Sequence, residues 1–325
     1  MRLATMCVMG VLAAGPIAVP VAMARAQCDH TCLNGFVDQY LAALEAHDPG
    51  RLPLAAHVRF TENGQQMALG DGLWGTVSGA DQKQSRIYFN DPRLGQAGFI
   101  GVVDEGGSPV TLFLRLKVVQ GRISEVETIA ARKERTQFSN PEAILDKPVF
   151  SEIMAPEQRR SRKQMEAILH AYLEAQINAK YNEAIFDPAC QRVEGGIVTA
   201  NNPDGDKMGK LSCGEQLKTG VSALLTRARE PRVFVADEER GLIGAVFFFD
   251  HAGTHRTVEI KYADGTTAER TSSSTAPYSW MAGELFKIRN GRILQIEIVI
   301  VKVPYRMSSG WPGGGKEVVK EKTGG

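Results

Sequence analysis

The chain repeats itself over a span too long for anything smaller than a whole domain. Leu33 to Gly64 lies over Met165 to Gly196 at a constant offset of 132 without a gap, pairing Phe36/Ile168, Val37/Leu169, Tyr40/Tyr172, Leu41/Leu173, Glu62/Glu194 and Gly64/Gly196. Further on the offset is 146, where Arg86-Ile-Tyr-Phe-Asn-Asp91 meets Arg232-Val-Phe-Val-Ala-Asp237 and Gly95 meets Gly241. Near the end it is 170, where Gly121-Arg122-Ile123 and Glu127 meet Gly291-Arg292-Ile293 and Glu297. Solenoid repeats run to a few tens of residues, so the doubled unit is a domain. The growth of the offset puts two insertions in the second copy, one between Gly196 and Arg232 and one between Gly241 and Gly291. The second lengthens a hairpin around His251 to Thr275, as an arm that covers a pocket or grips a neighbouring subunit.

Residues 1–26 read as a secretory signal peptide: a basic start at Arg2, an apolar stretch broken by Gly10, Gly15, Pro16 and Pro20, and a cleavage site at Ala24-Arg25-Ala26. The mature chain is then expected to be exported, to the periplasm or beyond, with no remaining membrane span. Cys28, Cys32, Cys190 and Cys213 remain, an even number in an oxidising compartment. The pairing Cys28–Cys32 with Cys190–Cys213 keeps each bridge within one copy and is preferred among the three possible. Metal-site spacing of the C-x-x-C kind is missing, so no metal is expected. Without Arg2 and Arg25 the basic residues fall from 38 to 36 against 37 acidic ones. That balance offers no basic face for nucleic acid.

Each copy opens with a helix. Leu33, Phe36, Val37, Tyr40, Leu41 and Leu44 form one apolar stripe, repeated by Met165, Ile168, Leu169, Tyr172 and Leu173. His47-Asp48-Pro49-Gly50 ends the first. The period then changes to two. Strands are predicted over 58–62, 86–90, 99–104, 110–119 and 122–132, and again over 191–198, 232–236, 242–251, 257–262, 278–289 and 292–303. Asn290-Gly291 is a two-residue hairpin signal. The plan is α+β, with helices covering one face of a mostly antiparallel sheet. The domains are placed at 27–133 and 161–305, with a Pro-punctuated linker at 134–160 and a Gly-rich, charged and disordered tail at 306–325.

The segments YLAALEAHDPGRLPLAAHVRFTENG and YLEAQINAKYNEAIFDPACQRVEGG, with the closing NGRILQIEIV, resemble the nuclear transport factor 2-like superfamily, which includes SnoaL-like and ketosteroid-isomerase-like proteins. The resemblance covers nearly the whole mature chain, once per copy. It implies two tandem cone-shaped domains, each a curved sheet wrapped on its N-terminal helices around an apolar pocket. It also implies chemistry without metal or organic cofactor: one desolvated carboxylate or histidine opposite tyrosine or acid donors. It is nearly silent on activity, since fold does not give function.

Two readings follow. In one, the chain binds a small apolar or aromatic molecule, and its cones pack as an internal pseudo-dimer or assemble as a homo-oligomer. In the other it is a cofactor-independent lyase or isomerase, with Glu62 or Glu127 as general base and Tyr88, Tyr40 or Arg86 as donor. Ligand-lining candidates are Tyr40, Phe60, Asn63 and Trp74, with Tyr278 and Trp280 as further cavity aromatics. Each candidate also has a plain structural reading. Glu62 can cap a turn, Glu127 and Glu297 can pair with Arg122 or Arg292, and Arg86 can pair with Asp91. The first copy is the expected pocket, because Glu-Asn-Gly-Gln and Gly-Leu-Trp-Gly supply more polar and aromatic lining than Glu-Gly-Gly. His251 and His255 lie about 13 Å apart if extended, too far for one ion. Asn202 to Cys213 lacks the glycine and the closing glutamate of a calcium loop. Phosphate-loop, dinucleotide, zinc-protease and esterase motifs are absent.

Overall fold

The computed structural model describes residues 28–80, 86–145, 147–179, 182–254, 256–272 and 274–321. The signal peptide read over 1–26 and His255 lie outside them. Among the described residues, no helix is long and apolar enough to cross a membrane.

Helix α1 (His30–Glu45) buries Leu33, Val37, Tyr40, Leu41 and Leu44, and Asp29 caps it by accepting from the Cys32 amide. Two short segments follow it, β1 (Leu54–Glu62) and β2 (Gln65–Met67). Next come β3 (Val77–Gly79), β4 (Arg86–Asp91), β5 (Gln96–Glu105), β6 (Ser108–Val119) and β7 (Arg122–Ala131). After α2 (Pro148–Ser151) in the linker, α3 (Arg162–Asn178) opens the second copy behind a Ser161/Gln164 capping box. Then come β8 (Phe186–Glu194), β9 (Ile197–Ala200), α4 (Cys213–Lys218), β10 (Arg227–Asp237) and β11 (Leu242–His251). The chain ends with β12 (Thr257–Lys261), β13 (Thr267–Thr271), β14 (Tyr278–Arg289), β15 (Arg292–Pro304) and β16 (Val318–Val319). The bridges are Cys28–Cys32 and Cys190–Cys213, as expected.

Two curved sheets result, and they share one wiring. The first runs β2-β1-β7-β6-β5, with β3 and β4 both on β5. The second runs β9-β8-β15-β14-β11-β10-β16. In each, the opening strand is parallel to the last long one and the neighbouring pairs are antiparallel. Even the register repeats: Glu62 stands opposite Thr128, and Glu194 opposite Ile298. The fold is therefore α+β, two cone-like domains in tandem. Asn290 and Gly291 both have positive φ, 54° and 79°, as the tight hairpin requires.

The convex faces of the sheets pack on each other, burying Phe89, Phe113, Phe234, Phe248, Met281 and Leu285 among others. Rings lie flat on glycines. A Cβ on Gly244 would stand 2.8 Å from Phe89 of the facing sheet, and one on Gly283 2.6 Å from Phe113. The contact is isologous, with one pair made twice. Asp91 of β4 meets Arg162 at the start of α3, and Asp237 of β10 meets His30 of α1 at 3.6 Å. His30 and Arg162 differ by 132, and Asp91 and Asp237 by 146, the offsets of the repeat.

Arg86 does not pair with Asp91: it donates to Asp38 of α1 at 2.9 Å, while Asp91 takes Arg162 and the Ala236 amide. The two were matched along the strand, but they are five residues apart and point to opposite sheet faces. The tail is not disordered over 306–321. Trp311 donates to Thr61 Oγ1 at 2.9 Å and lies under the Arg115 guanidinium at 4.4 Å, and β16 extends the second sheet beyond β10. A half-buried indole and a buried Val318 hold what its composition would leave loose.

Because Phe113 is enclosed, a methyl group under its ring has nowhere to go. Gly283→Ala is expected to lower unfolding stability by about 2 kcal/mol, read by urea denaturation. An unchanged midpoint would show that the sheets can slide apart there.

Candidate functional site

The first cone is filled by its own side chains. Tyr40, Phe60 and Trp74 are each 1% exposed. Trp74 Nε1 donates to the Tyr40 hydroxyl at 3.0 Å, and the two rings meet edge-on at 5.2 Å. Leu114 and Phe99 close the remaining space. The residues expected to line a pocket are the packing that removes it. Asn63 is engaged elsewhere, donating to the Ala130 carbonyl and accepting from the Ala130 amide.

The expected bases are equally tied down. Glu62 accepts from the Leu73 amide at 2.8 Å and from Arg132 at 3.0 Å, so it caps the turn that presents Trp74. Glu127 is fully buried between Arg115 at 2.9 Å and Arg232 at 3.0 Å. Burial alone would raise its carboxyl, but the charges of Arg232 and Arg115 outweigh that and hold it below the usual range. Its partners are not Arg122, and Glu297 pairs with Lys147 of the linker instead of Arg292. Tyr88 donates to Asp38 at 2.6 Å, and burial together with that bond pushes its hydroxyl up to about 12. Arg86, Tyr88 and Asp38 thus lock α1 to β4, and neither donor faces a cavity beside Glu62 or Glu127.

The second cone keeps a cavity of about 180 Å³. Strand alternation on β14 sends Tyr278, Trp280 and Glu284 to its interior, and on β11 Phe249 and His251. Tyr172 and Gln176 enter from α3, four residues apart on one helix face. Both insertions of the second copy wall the mouth. The first contributes Val221, Ser222, Leu224 and Leu225, and the arm of β12 and β13 contributes Arg270 and Thr271 with Ser272 beyond. The arm therefore covers a pocket. Phe138 of the linker supplies a further side.

Glu284 gives this cavity its chemistry. It is 1% exposed, and among the described residues its Oε2 has no hydrogen-bond partner. Burial, reinforced by the charge of Glu194, raises its carboxyl to about 8 against the opposing Arg192 and a bond from Tyr172. Gln176 donates to the Tyr172 hydroxyl at 3.0 Å and accepts from Ser222, so the hydroxyl is oriented by a fixed amide. Arg192 is taken by Glu194 at 3.0 Å. At the rim, His251 stacks on Tyr278 at 4.3 Å, and burial with Arg270 and Lys302 nearby brings its imidazole down to about 4. It is neutral at pH 7. Tyr278 and Glu284 are six residues apart on one strand face, so roughly 20 Å separates rim from floor. His251 cannot act directly on an atom held at Glu284.

Glu284 has no acidic counterpart in the first copy, since at the offset of 170 it falls on Leu114. Its signal lay in period two, which puts it with Trp280 and Phe286 on one face of an apolar strand. Gln176, Arg192 and Ser222 were missed with it.

A sequence profile described as a domain of unknown function, DUF8021, matches residues 158–300, which is the second cone. No curated protein matches the sequence. Among solved structures, the chain is similar to an NTF2-like protein of unknown function from Cytophaga hutchinsonii, at 12% identity over 34% of this chain and 96% of that one, with a TM-score of 0.24. It is also similar to a provisionally named ketosteroid isomerase from Kribbella flavida, at 13% identity over 38% and 93%, TM-score 0.27. A third is a provisionally named polyketide cyclase from Xanthomonas campestris, at 16% identity over 42% and 90%, TM-score 0.27.

A carboxyl raised by folding holds its proton in the native chain while the unfolded chain has lost it. Glu284 therefore costs nothing below its ordinary 4.5, costs progressively more from there to about 8, and costs its full amount above. Glu284→Gln is expected to stabilise the protein at pH 9 by roughly 2 kcal/mol and to change little at pH 4, measured by urea unfolding across pH. A substitution effect independent of pH would mean the carboxyl is not desolvated.

Proposed function

We propose that the chain is an exported tandem duplication of a nuclear transport factor 2-like domain whose second cone binds a small apolar or aromatic molecule. The observation that carries this is the asymmetry between the cones: one wiring, with one interior filled by Trp74 and the other left open beneath two insertions that converge on its mouth. The two disulfides fit passage through an oxidising compartment. Aromatic walls favour a flat apolar body. A carboxyl neutral at pH 7 at the floor would donate to a carbonyl or hydroxyl of the guest.

The unpaired oxygen of Glu284 favours a second reading, proton transfer in a lyase or isomerase. Once ionised, a desolvated carboxylate is a general base matched to near-neutral pH, and Tyr172 beside it could stabilise an enolate or phenolate.

The mature protein titrated with flat hydrophobic ligands is expected to bind them with quenching of Trp280. Under the carrier reading no ligand turns over. Under the enzymatic one, Glu284→Gln abolishes turnover while keeping binding, and the wild-type rate rises with an apparent pKa of about 8. Binding that survives replacement of Trp280 and Phe249 by alanine would remove the second cone as the site. Glu127→Gln would leave ligand binding intact but destabilise the fold by about 3 kcal/mol, since it strands two arginines.

A further inference from the structure

The internal repeat exposes a second opening. In the first copy Asp38 of α1 receives Arg86 and Tyr88 of β4 and draws the helix onto the strand. The matching positions in the second copy are His170, Arg232 and Phe234. The position on α3 that matches Asp38 is His170 and not a carboxylate, Glu166 one turn before it is held by Arg162, and Arg232 turns to Glu127 of the first domain instead. Where the first copy is latched, a groove of about 930 Å³ lies between the domains, lined by His170, Arg232 and Phe234 themselves.

Its walls are of two kinds. Leu169 and Leu173 of α3, with Pro231, Phe234 and the Trp311 indole, make an apolar slot. Around its lip stand four cations and two acids. The acids are already paired, Glu125 with Arg115 at 2.6 Å and Glu166 with Arg162 at 3.2 Å. Arg115 and Arg232 are held on Glu127. Arg59 and Lys316 are exposed, and neither has a carboxylate within ion-pair distance among the described residues. Arg59 donates to the Gly310 carbonyl and stands 5.4 Å from the Trp311 ring. The uncompensated charge of the groove is positive, and it sits beside an aromatic surface.

We propose that this groove is a second ligand site, separate from the second cone, for an amphipathic carboxylate. Its flat apolar body would lie against Leu169, Leu173, Phe234 and Trp311, and its carboxylate between Arg59 and Lys316. The head group is recognised by charge-assisted bonds that a neutral analogue cannot make.

The three tryptophans report on three places: Trp74 in the filled cone, Trp280 in the open one, and Trp311 in the groove. Fluorine NMR of fluorotryptophan-labelled mature protein, titrated with naphthoate, is expected to move the Trp311 resonance saturably and to leave Trp74 still. The methyl ester should bind there at least about tenfold more weakly, and raised salt should weaken naphthoate alone. Arg59→Gln and Lys316→Gln, both at exposed positions, should each reduce the affinity read at Trp311, with an unshifted Trp74 resonance confirming the fold. A Trp311 resonance that stays put up to millimolar naphthoate overturns the proposal, as does equal affinity for the ester or for the charge variants. A response at Trp280 alone would also overturn it while leaving the second cone's role intact.

Discussion

Everything else in the structure hangs on the apolar contact between the two convex sheet faces. Phe89 lies on Gly244 and Phe113 on Gly283 of the facing sheet, which lets the sheets approach as closely as the ring thickness allows. The contact has the symmetry of a homodimer, down to the Asp91–Arg162 and Asp237–His30 contacts at its rim. Covalent linkage then changes what symmetry permits. A true dimer must carry the same residue at both copies of a position, whereas a tandem chain is free to let them diverge.

The divergence is systematic. Leu114 fills where Glu284 opens, and Asp38 latches where His170 does not. In each case the first copy carries the residue that closes a space and the second the residue that leaves it. Burying Glu284 without a full set of partners is unfavourable, and a first cone packed solid with aromatics is the kind of scaffold that can carry that cost.

Much of the fold was legible in the sequence, because helical stripes, Asn-Gly turns and repeat offsets are local or periodic signals. The helices from His30 and Arg162, the hairpin at Asn290-Gly291 and both disulfides follow from such signals. The site was not legible for two reasons. The repeat preserves the acids Glu62/Glu194 and Glu127/Glu297, yet Glu62 and Glu127 are fixed by Arg132, Arg115 and Arg232 across strands and domains. The desolvated carboxyl instead sits at Glu284, where the copies disagree. Those partners are long-range, and no spacing rule reaches them. The tail misled in the same way: glycines and charges read as disorder, while one indole crossing to Thr61 orders the segment.

The bridge from Cys190 to Cys213 fastens the first insertion to the opening strand of the second cone, a few residues before the chain reaches Val221 and Ser222. The wall over the cavity is thus clamped by a bond that exists only when the thiols are oxidised. Protein made in a reducing cytoplasm would keep its floor and side walls but carry an unanchored lid, and ligand screens run on such material would be sampling a different vessel.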